Sequence, residues 1–299
     1  MAAQSAKAKA QEKTSTALPL FDQGVALAQQ VQRFSVDNLP ETLDFSRPWV
    51  LSCPAWVGEA SAACKPDFES FKVAFDIGRK ENKGMRASKP ISAQEMDFKL
   101  QDKLADLLKK YPGALRDVTG LPALSKQAAA LTLFGIDVGY DKVSTESAGL
   151  AVFRLTLEGT RRLVLTEGLQ LLGYMQRKGV AGTIGVARQG AFFRNMSASA
   201  LEEFVGECSL YTTTLQGGDL LYIPFGAVLG EQVQQVSYGW RQVAPVSCQV
   251  DKNLTTAVKR RLEQVATAKQ ASQSQEEQAK LDVELELLRE VLKEDLPKA

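Results

Sequence analysis

Length, composition and charge already limit the chemistry that this chain can perform. Its 299 residues include 36 Lys and Arg, 35 Asp and Glu, and no histidine. Without imidazole, the chain cannot form Ser-His-Asp or Cys-His nucleophilic sites, histidine proton shuttles or imidazole metal sites. A net charge of +1 creates no general field that attracts polyanions. We therefore predict no nucleic-acid partner. For the chemistry, the chain either uses carboxylates, lysine, tyrosine or cysteine, or performs none.

The cysteines and the apolar runs bear on location. The four cysteines are too far apart for a CxxC pair. We predict that they are reduced and mostly buried, which favours an intracellular reducing compartment. The apolar runs are short and interrupted, so we predict no transmembrane span. Residues 1–17 have no apolar h-region, which excludes a secretory signal. We expect a disordered polar tail there, with an organellar transit peptide as the alternative.

The next segment, 18–129, has the features of a mixed α+β region. Apolar residues at helical spacing predict a helix over 18–35. The segments WVLSC (49–53) and FKVAFDI (71–77) are rich in β-branched and aromatic residues and are predicted as strands. A capping-box pattern at Ser92 predicts a further helix after that residue.

Short strands separated by glycine-containing turns dominate the segment 130–247. This pattern is typical of an antiparallel sandwich or barrel. Two helices, 168–177 and 199–206, are predicted to interrupt it. The predicted strands are 131–136, 150–157, 161–166, 183–187, 209–215, 219–225 and 237–245.

The last segment, 248–299, is predicted to be a helical extension. Two apolar stripes at helical spacing flank a polar stretch at 269–278, which fits either two helices or one continuous helix. The helices could lie on the β domain, or they could bind a protein partner or a second copy through residues 254–292. We predict the partner or self-association role for this region.

One motif carries a family resemblance. In Gly218-Asp-Leu-Leu-Tyr-Ile-Pro224-Phe-Gly226, a glycine turn leads into a buried strand, the proline ends the pairing of that strand, and a glycine reverses the chain. The segment resembles the second cupin motif, and in particular the GDLLYIPxGWWH form found in JmjC-type oxygenases. At the position of the metal-binding histidine this chain has Leu229.

A second segment, LAVFRLTLEGTRRLVLT (150–166), resembles the JmjC strand pair that follows the first metal motif, HxD. Alignment on Gly159 places Arg161 at the basic residue that binds the carboxylate of 2-oxoglutarate in that family. The same alignment places Glu146 and Ala148 at the histidine and carboxylate positions. The resemblance therefore implies a double-stranded β-helix with degenerate metal positions at Glu146, Ala148 and Leu229.

The departures from the family pattern bear on the chemistry. Iron oxygenases of this kind need two imidazoles and one carboxylate, and this chain has no imidazole. We therefore predict a metal-free protein with no cofactor. An oxygen-ligand site for Mg²⁺ or Ca²⁺ built from Glu146, Asp219 and Glu231 is the alternative; for Asp219 the simpler role is to accept backbone amides in a turn.

Four further residues are candidate ligand contacts. Arg154 lies among apolar neighbours, where it either faces the interior and binds a small anionic ligand or faces solvent. Arg161 is either a surface charge or a retained anion contact, because its guanidinium fits a carboxylate. Tyr222 and Trp240 are either core residues or contacts to a ligand in a pocket wall.

The resulting prediction is a mainly β fold with α elements, a cupin-like, JmjC-like antiparallel sandwich or jelly roll. An N-terminal α+β segment precedes it and a helical extension follows. The predicted function is a non-catalytic pseudoenzyme that acts as a protein-binding or assembly module. The alternatives are a divergent 2-oxoglutarate and Fe(II) oxygenase-like enzyme that uses carboxylates such as Glu146 and Glu231, or a structural subunit docked by its C-terminal helix.

Overall fold

The computed structural model of the chain describes residues 18–92, 98–115, 126, 130–145, 150–181, 185–244, 246 and 254–295. The predictions for Glu146, Ala148, Cys248 and the segment 1–17 lie outside the described residues. Within the described part, the fold is mixed α and β with a large, mostly antiparallel sheet. None of the described helices is long and apolar enough to cross a lipid bilayer.

The elements alternate along the chain. The strands are β1 (Gln29–Gln30), β2 (Gln32–Ser35), β3 (Trp49–Ser52), β4 (Arg86–Ser92), β5 (Ala130–Ile136), β6 (Asp141–Thr145), β7 (Val152–Glu167), β8 (Leu210–Leu215), β9 (Asp219–Ile223) and β10 (Ala227–Val243). The helices are α1 (Pro19–Leu27), α2 (Pro54–Ala63), α3 (Lys65–Glu81), α4 (Leu100–Leu108), α5 (Gly168–Arg177), α6 (Val186–Arg194), α7 (Ala198–Glu207), α8 (Leu254–Ala271) and α9 (Gln275–Asp295).

Two long strands, β7 and β10, organise the sheet. They pair antiparallel, from Ala227 opposite Glu167 to Val243 opposite Val152, with register irregularities between Val233 and Gly239. Each long strand has two halves, which we call β7a (152–158), β7b (160–167), β10a (227–233) and β10b (237–243). The halves of each strand have different neighbours, because β9 pairs with β7a and β8 pairs with β7b.

The strand halves form two rows. The first row has the order β5, β10b, β7a and β9, and the second row has the order β6, β10a, β7b and β8. N-terminal strands extend the edges: β3 pairs with β9, β2 pairs parallel with β3, and β1 pairs parallel with β8. On the opposite edge of the first row, β4 pairs with β5.

The bend between β7a and β7b requires glycine at position 159. Gly159 has a φ of +85°, and a Cβ there would lie 2.1 Å from the carbonyl oxygen of Val236. Only a residue without a side chain allows the two long strands to approach this closely in a left-handed conformation. The glycine therefore fixes the point at which β7 passes from one row to the other.

Three apolar layers hold the rows. The outer face of the first row packs against α2, α3 and α4, and the outer face of the second row packs against α1, α5, α6 and α7. The inner faces pack against each other and against α8 and α9. The predicted antiparallel β region with helices around it is therefore confirmed at this level.

Three local predictions were wrong. The segment 71–77, predicted as a strand, lies in α3, because Phe68, Phe71 and Phe75 are buried at helical spacing along one face of that helix. The helix predicted over 18–35 ends at Leu27, because the chain from Gln29 onward pairs with β8 and β3. The strand predicted over 183–187 is also wrong where the structure describes it, because Val186 begins α6.

The C-terminal extension consists of two helices and not of one continuous helix. Lys269 Nζ lies 2.5 Å from Asp282 Oδ1, and Arg261 Nε lies 2.7 Å from Glu284 Oε1, so the helices form a hairpin. Apolar residues of both predicted stripes are buried within this chain. They include Val258, Val265, Leu285 and Leu288. This burial favours the alternative in which the helices lie on the β domain; the prediction of a protein partner or self-association stays a prediction.

The thiols that the structure describes are free and buried: Cys53, Cys64 and Cys208. Burial raises the pKa of Cys53 to about 12, with a further contribution from the charge of Asp219. Burial likewise raises the pKa of Cys64 to about 11. These thiols therefore carry almost no reactive thiolate at neutral pH.

We expect iodoacetamide at about pH 8 to leave Cys53 and Cys64 unmodified in the native protein, because both thiols are protonated and shielded from solvent. Peptide mapping by mass spectrometry checks this result. The same reaction in urea should modify both residues. Rapid labelling of either residue without denaturant would contradict the burial described here.

Candidate functional site

Arg154 and Arg161 lie inside the fold, between the two rows. Their exposed fractions are 1% and 0%. On β7a, Phe153 and Leu155 point to the outer core, so the alternate position, Arg154, points inward. Arg161 follows the bend at Gly159 and occupies the inner face of β7b. The surface alternatives for both arginines are therefore wrong.

The two arginines meet at Glu231, which is on the inner face of β10a. The Nη1 atoms of Arg154 and Arg161 donate hydrogen bonds to the same oxygen, Glu231 Oε1, over 2.8 and 2.9 Å. All three side chains are no more than 1% exposed. Charge-assisted hydrogen bonds of this length are stronger than neutral ones. We call Arg154, Arg161 and Glu231 the interior ion cluster.

Neighbouring side chains orient the interior ion cluster. Arg161 Nη2 donates a hydrogen bond to Thr156 Oγ1 over 2.9 Å. The guanidinium carbon of Arg161 lies 4.7 Å from the centre of the Phe134 ring, a favourable cation–π distance. The second carboxylate oxygen, Glu231 Oε2, lies 3.5 Å from Arg86 Nη1. Arg86 is partly exposed and links the cluster to the surface.

The protonation states follow from these contacts. Burial alone would raise the pKa of Glu231, but the charges of Arg154, Arg86 and Arg161 outweigh it and hold that pKa at about 2. Burial lowers the pKa of Arg161 to about 10, although Glu231 opposes this effect. At neutral pH Glu231 is therefore a carboxylate and Arg161 remains protonated.

This pKa predicts a specific pH dependence. The pKa of Glu231 is lower in the folded chain than its ordinary value of 4.5. Ionisation of Glu231 therefore stabilises the folded state at pH values above 4.5. We expect the stability difference between wild type and Glu231→Gln to be constant above about pH 5 and to shrink as the pH falls towards 2. Urea denaturation across this range measures the difference, and a difference that is still undiminished at about pH 3 would contradict the expectation.

Tyr222 and Trp240 lie away from the interior ion cluster. Both are fully buried in the core on the outer face of the first row. Tyr222 stacks on Trp49 with ring centres 5.0 Å apart, and its hydroxyl donates to the carbonyl oxygen of Phe45 over 3.0 Å. Trp240 packs edge-on to Phe98 at 5.4 Å. The structure thus places these two candidates among core side chains and does not bring them together with the arginines.

Leu229, at the position matched to a metal-binding histidine, is 1% exposed on the inner face of β10a. It belongs to the interior apolar cluster with Leu165 and Val243. The hairpin of α8 and α9 contributes Val258 and Leu288 to the same cluster. The C-terminal helices therefore belong to the same apolar cluster as Leu229.

No protein-family model matches this chain, and no curated protein matches it.

The described carboxylates do not form a metal site. In the part of the chain that the structure describes, no group of three or more Cys, Asp and Glu side chains could hold a metal ion. Asp219 is buried at the start of β9, where its Oδ2 accepts the backbone N–H of Gln216 in the preceding turn over 2.9 Å. Its other oxygen binds Arg33. Asp219 thus has the turn role predicted for it, and Glu231 is bound to arginines.

Sequence reasoning did not predict the ion pairs of Glu231 with the two arginines. Glu231 was considered only as a metal ligand, whereas the structure makes it the common acceptor for two arginines. Phe134 and Arg86, which support the cluster, gave no sequence signal because they lie on other strands, β5 and β4. Thr156 lies on β7 with both arginines but was not considered. An alternation test on 152–157 would have placed Arg154 on the face opposite Phe153 and Leu155.

Proposed function

We propose that this chain is a metal-free, non-catalytic protein of the cupin and JmjC-like type that serves as a binding or assembly module. The strand order supports this proposal. Antiparallel segments in two facing four-membered rows, with long strands passing between the rows, have the plan of a double-sheet jelly roll. The double-stranded β-helix implied by the motif at 218–226 has the same general plan.

The ion pair between Arg161 and Glu231 carries the proposal. In the resemblance, Arg161 matches the basic residue that binds the cosubstrate carboxylate. Here its guanidinium already binds a carboxylate of the same chain at 2.9 Å, in a site with no solvent exposure. A free 2-oxoglutarate would have to displace a tethered carboxylate and leave it buried, which is costly. The chain therefore uses the anion-binding chemistry of this position for its own structure.

The apolar environment of Leu229 supports the same conclusion. A catalytic iron requires nitrogen or oxygen ligands and open coordination positions. Leu229 instead is buried in an apolar cluster that includes Val258 and Leu288 of the C-terminal hairpin. A scaffold can retain its turns and strand pairing while its site chemistry changes.

The oxygenase-like alternative is less well supported. It assigns metal ligation to Glu231, whose carboxylate is held by Arg154 and Arg161. Transfer of this carboxylate to a metal would take its negative charge away from two buried guanidinium groups. The second ligand of that alternative, Glu146, is outside the described residues.

Metal and cosubstrate titration tests the non-catalytic assignment. Under anaerobic conditions, we expect no saturable heat when Fe(II) is added to the full chain, with or without 2-oxoglutarate. We also expect no succinate after oxygen is admitted. Stoichiometric Fe(II) binding at the protein concentration, or succinate formation that depends on iron, would overturn the proposal.

The assembly role has a separate test. Light scattering of the full chain across a range of concentrations determines whether it forms a defined oligomer. The variant Val283→Glu changes a side chain of α9 that is 53% exposed, so it should weaken self-association through α9 without disturbing the buried stripe. A defined oligomer that Val283→Glu dissociates supports self-association through α9, and a mass that stays monomeric at all concentrations contradicts it.

A further inference from the structure

A cavity of about 150 Å³ lies outside the interior ion cluster, between α4 and the first row of strands. One wall consists of residues of α4, and the other consists of the beginning of β7 and the end of β10. Most of its lining is apolar, and none of the described residues that line it is charged. The lining residues are Gln101, Leu104, Ala105, Leu115, Phe153, Gln242 and Val243.

Gln242 distinguishes this cavity from a simple packing gap. Its side chain is 2% exposed, although its two cross-strand neighbours are Leu131 and Phe153. Glutamine is seldom buried to this extent. A glutamine amide has both a carbonyl acceptor and an NH₂ donor, so it can bind the protein and a ligand at the same time. Binding pockets for small molecules characteristically combine an apolar lining with a few polar groups placed in this way.

The volume indicates the size of a ligand. Cavities of about 150 Å³ lined by Leu, Ile and Phe accept a single benzene ring. Here Leu104, Leu115 and Phe153 provide comparable surfaces. The exposed residues Gln101 and Ala105 lie at the rim, so the cavity can be entered from the α4 side.

We propose that this cavity binds a small, uncharged, mainly apolar molecule of about one ring, with one hydroxyl or carbonyl group that hydrogen-bonds to the amide of Gln242. The apolar body lies against Leu104, Leu115 and Phe153. This site is on the outer face of the first row, so it goes beyond the proposed function and does not depend on whether the interior is catalytic.

Phenol and toluene test the proposal as matched probes, because they have the same number of non-hydrogen atoms and differ in the hydroxyl. Titration calorimetry or ligand-detected NMR with the full chain should give tighter binding for phenol. Gln242→Leu should weaken phenol binding about tenfold and leave toluene binding unchanged, since one hydrogen bond is lost. Equal affinity of the two probes for wild type, or an unchanged phenol affinity in Gln242→Leu, would overturn the role of Gln242.

A second pair of variants tests the location and does not disturb the core. Ala105→Phe places a ring at the exposed rim and should abolish binding of both probes. Asp106→Phe changes the next residue, which is also exposed and does not line the cavity, and should bind both probes as wild type does. Absence of binding to wild type at millimolar probe, or equal binding by these two variants, would overturn the site.

Discussion

Replacing Glu231 with glutamine is expected to lower the free energy of unfolding by about 3–5 kcal/mol. The substitution keeps the size of the side chain but removes the negative charge that Arg154 and Arg161 share at 2.8 and 2.9 Å. Both guanidiniums would remain buried with a neutral amide as their acceptor. Loss of one partner from a buried ion pair is costly because the remaining charge is no longer compensated.

Urea or thermal denaturation of the full chain measures this effect. Glu203→Gln is the matched control, because Glu203 pairs with Lys178 at the surface, where we expect little change in stability. A second variant combines Arg154→Met, Arg161→Met and Glu231→Leu. If the loss in Glu231→Gln comes from uncompensated charge, this apolar triple variant should be more stable than the single variant. A triple variant less stable than Glu231→Gln would contradict that explanation.

Replacing Gly159 with alanine is expected to cost at least about 3 kcal/mol. Two effects add at this position. The φ of +85° is unfavourable for any residue with a Cβ, and that Cβ would lie 2.1 Å from the carbonyl oxygen of Val236. Relief of the clash requires β7 and β10 to separate where both strands pass between the rows.

Variants at two other glycines distinguish the cost of a positive φ from the cost of the steric clash. Gly139 has a φ of +86°, and no atom lies within 4 Å of the point that a Cβ would occupy there, so Gly139→Ala should cost only about 1–2 kcal/mol. Gly58 lies in α2 with ordinary φ and open space, so Gly58→Ala should stabilise the helix by up to about 1 kcal/mol. Thermal unfolding of the three variants should rank them in this order, and a Gly159→Ala protein as stable as Gly139→Ala would contradict the clash.

Much of the β region could be predicted from local sequence. Alternation and glycine turns identified β5, β8 and β9 nearly at their observed bounds. The errors arose where the residue types favour a strand but the spacing of the buried residues is that of a helix. FKVAFDI has the composition of a strand, yet its phenylalanines, together with Phe68, form one face of α3. Composition alone could not reveal this, because the spacing becomes clear only when Phe68 is included.

The interior ion cluster was less predictable, and distance along the chain explains why. Glu231 is 77 residues from Arg154 and 70 residues from Arg161. No local pattern links such residues. The register of β7b against β10a brings Arg161 next to Glu231, whereas Arg154 lies opposite Arg241 and reaches Glu231 from the other row. Sequence reasoning correctly selected both arginines as unusual. Whether they face the interior depended on strand orientation, which the resemblance alone did not decide.

The pairing of the N-terminal strands has a consequence for the order of folding. Phe45 contacts Tyr222 across 177 residues, and the stretch that contains β1, β2 and β3 pairs with β8 and β9. Contacts of such long range slow folding, because the intervening chain must be ordered first. On the ribosome, the first strands to emerge must wait for their partners until nearly three quarters of the chain has been made. During synthesis these unpaired edges are exposed to association with other chains, so efficient production of this protein should depend on chaperones that shield these N-terminal strands.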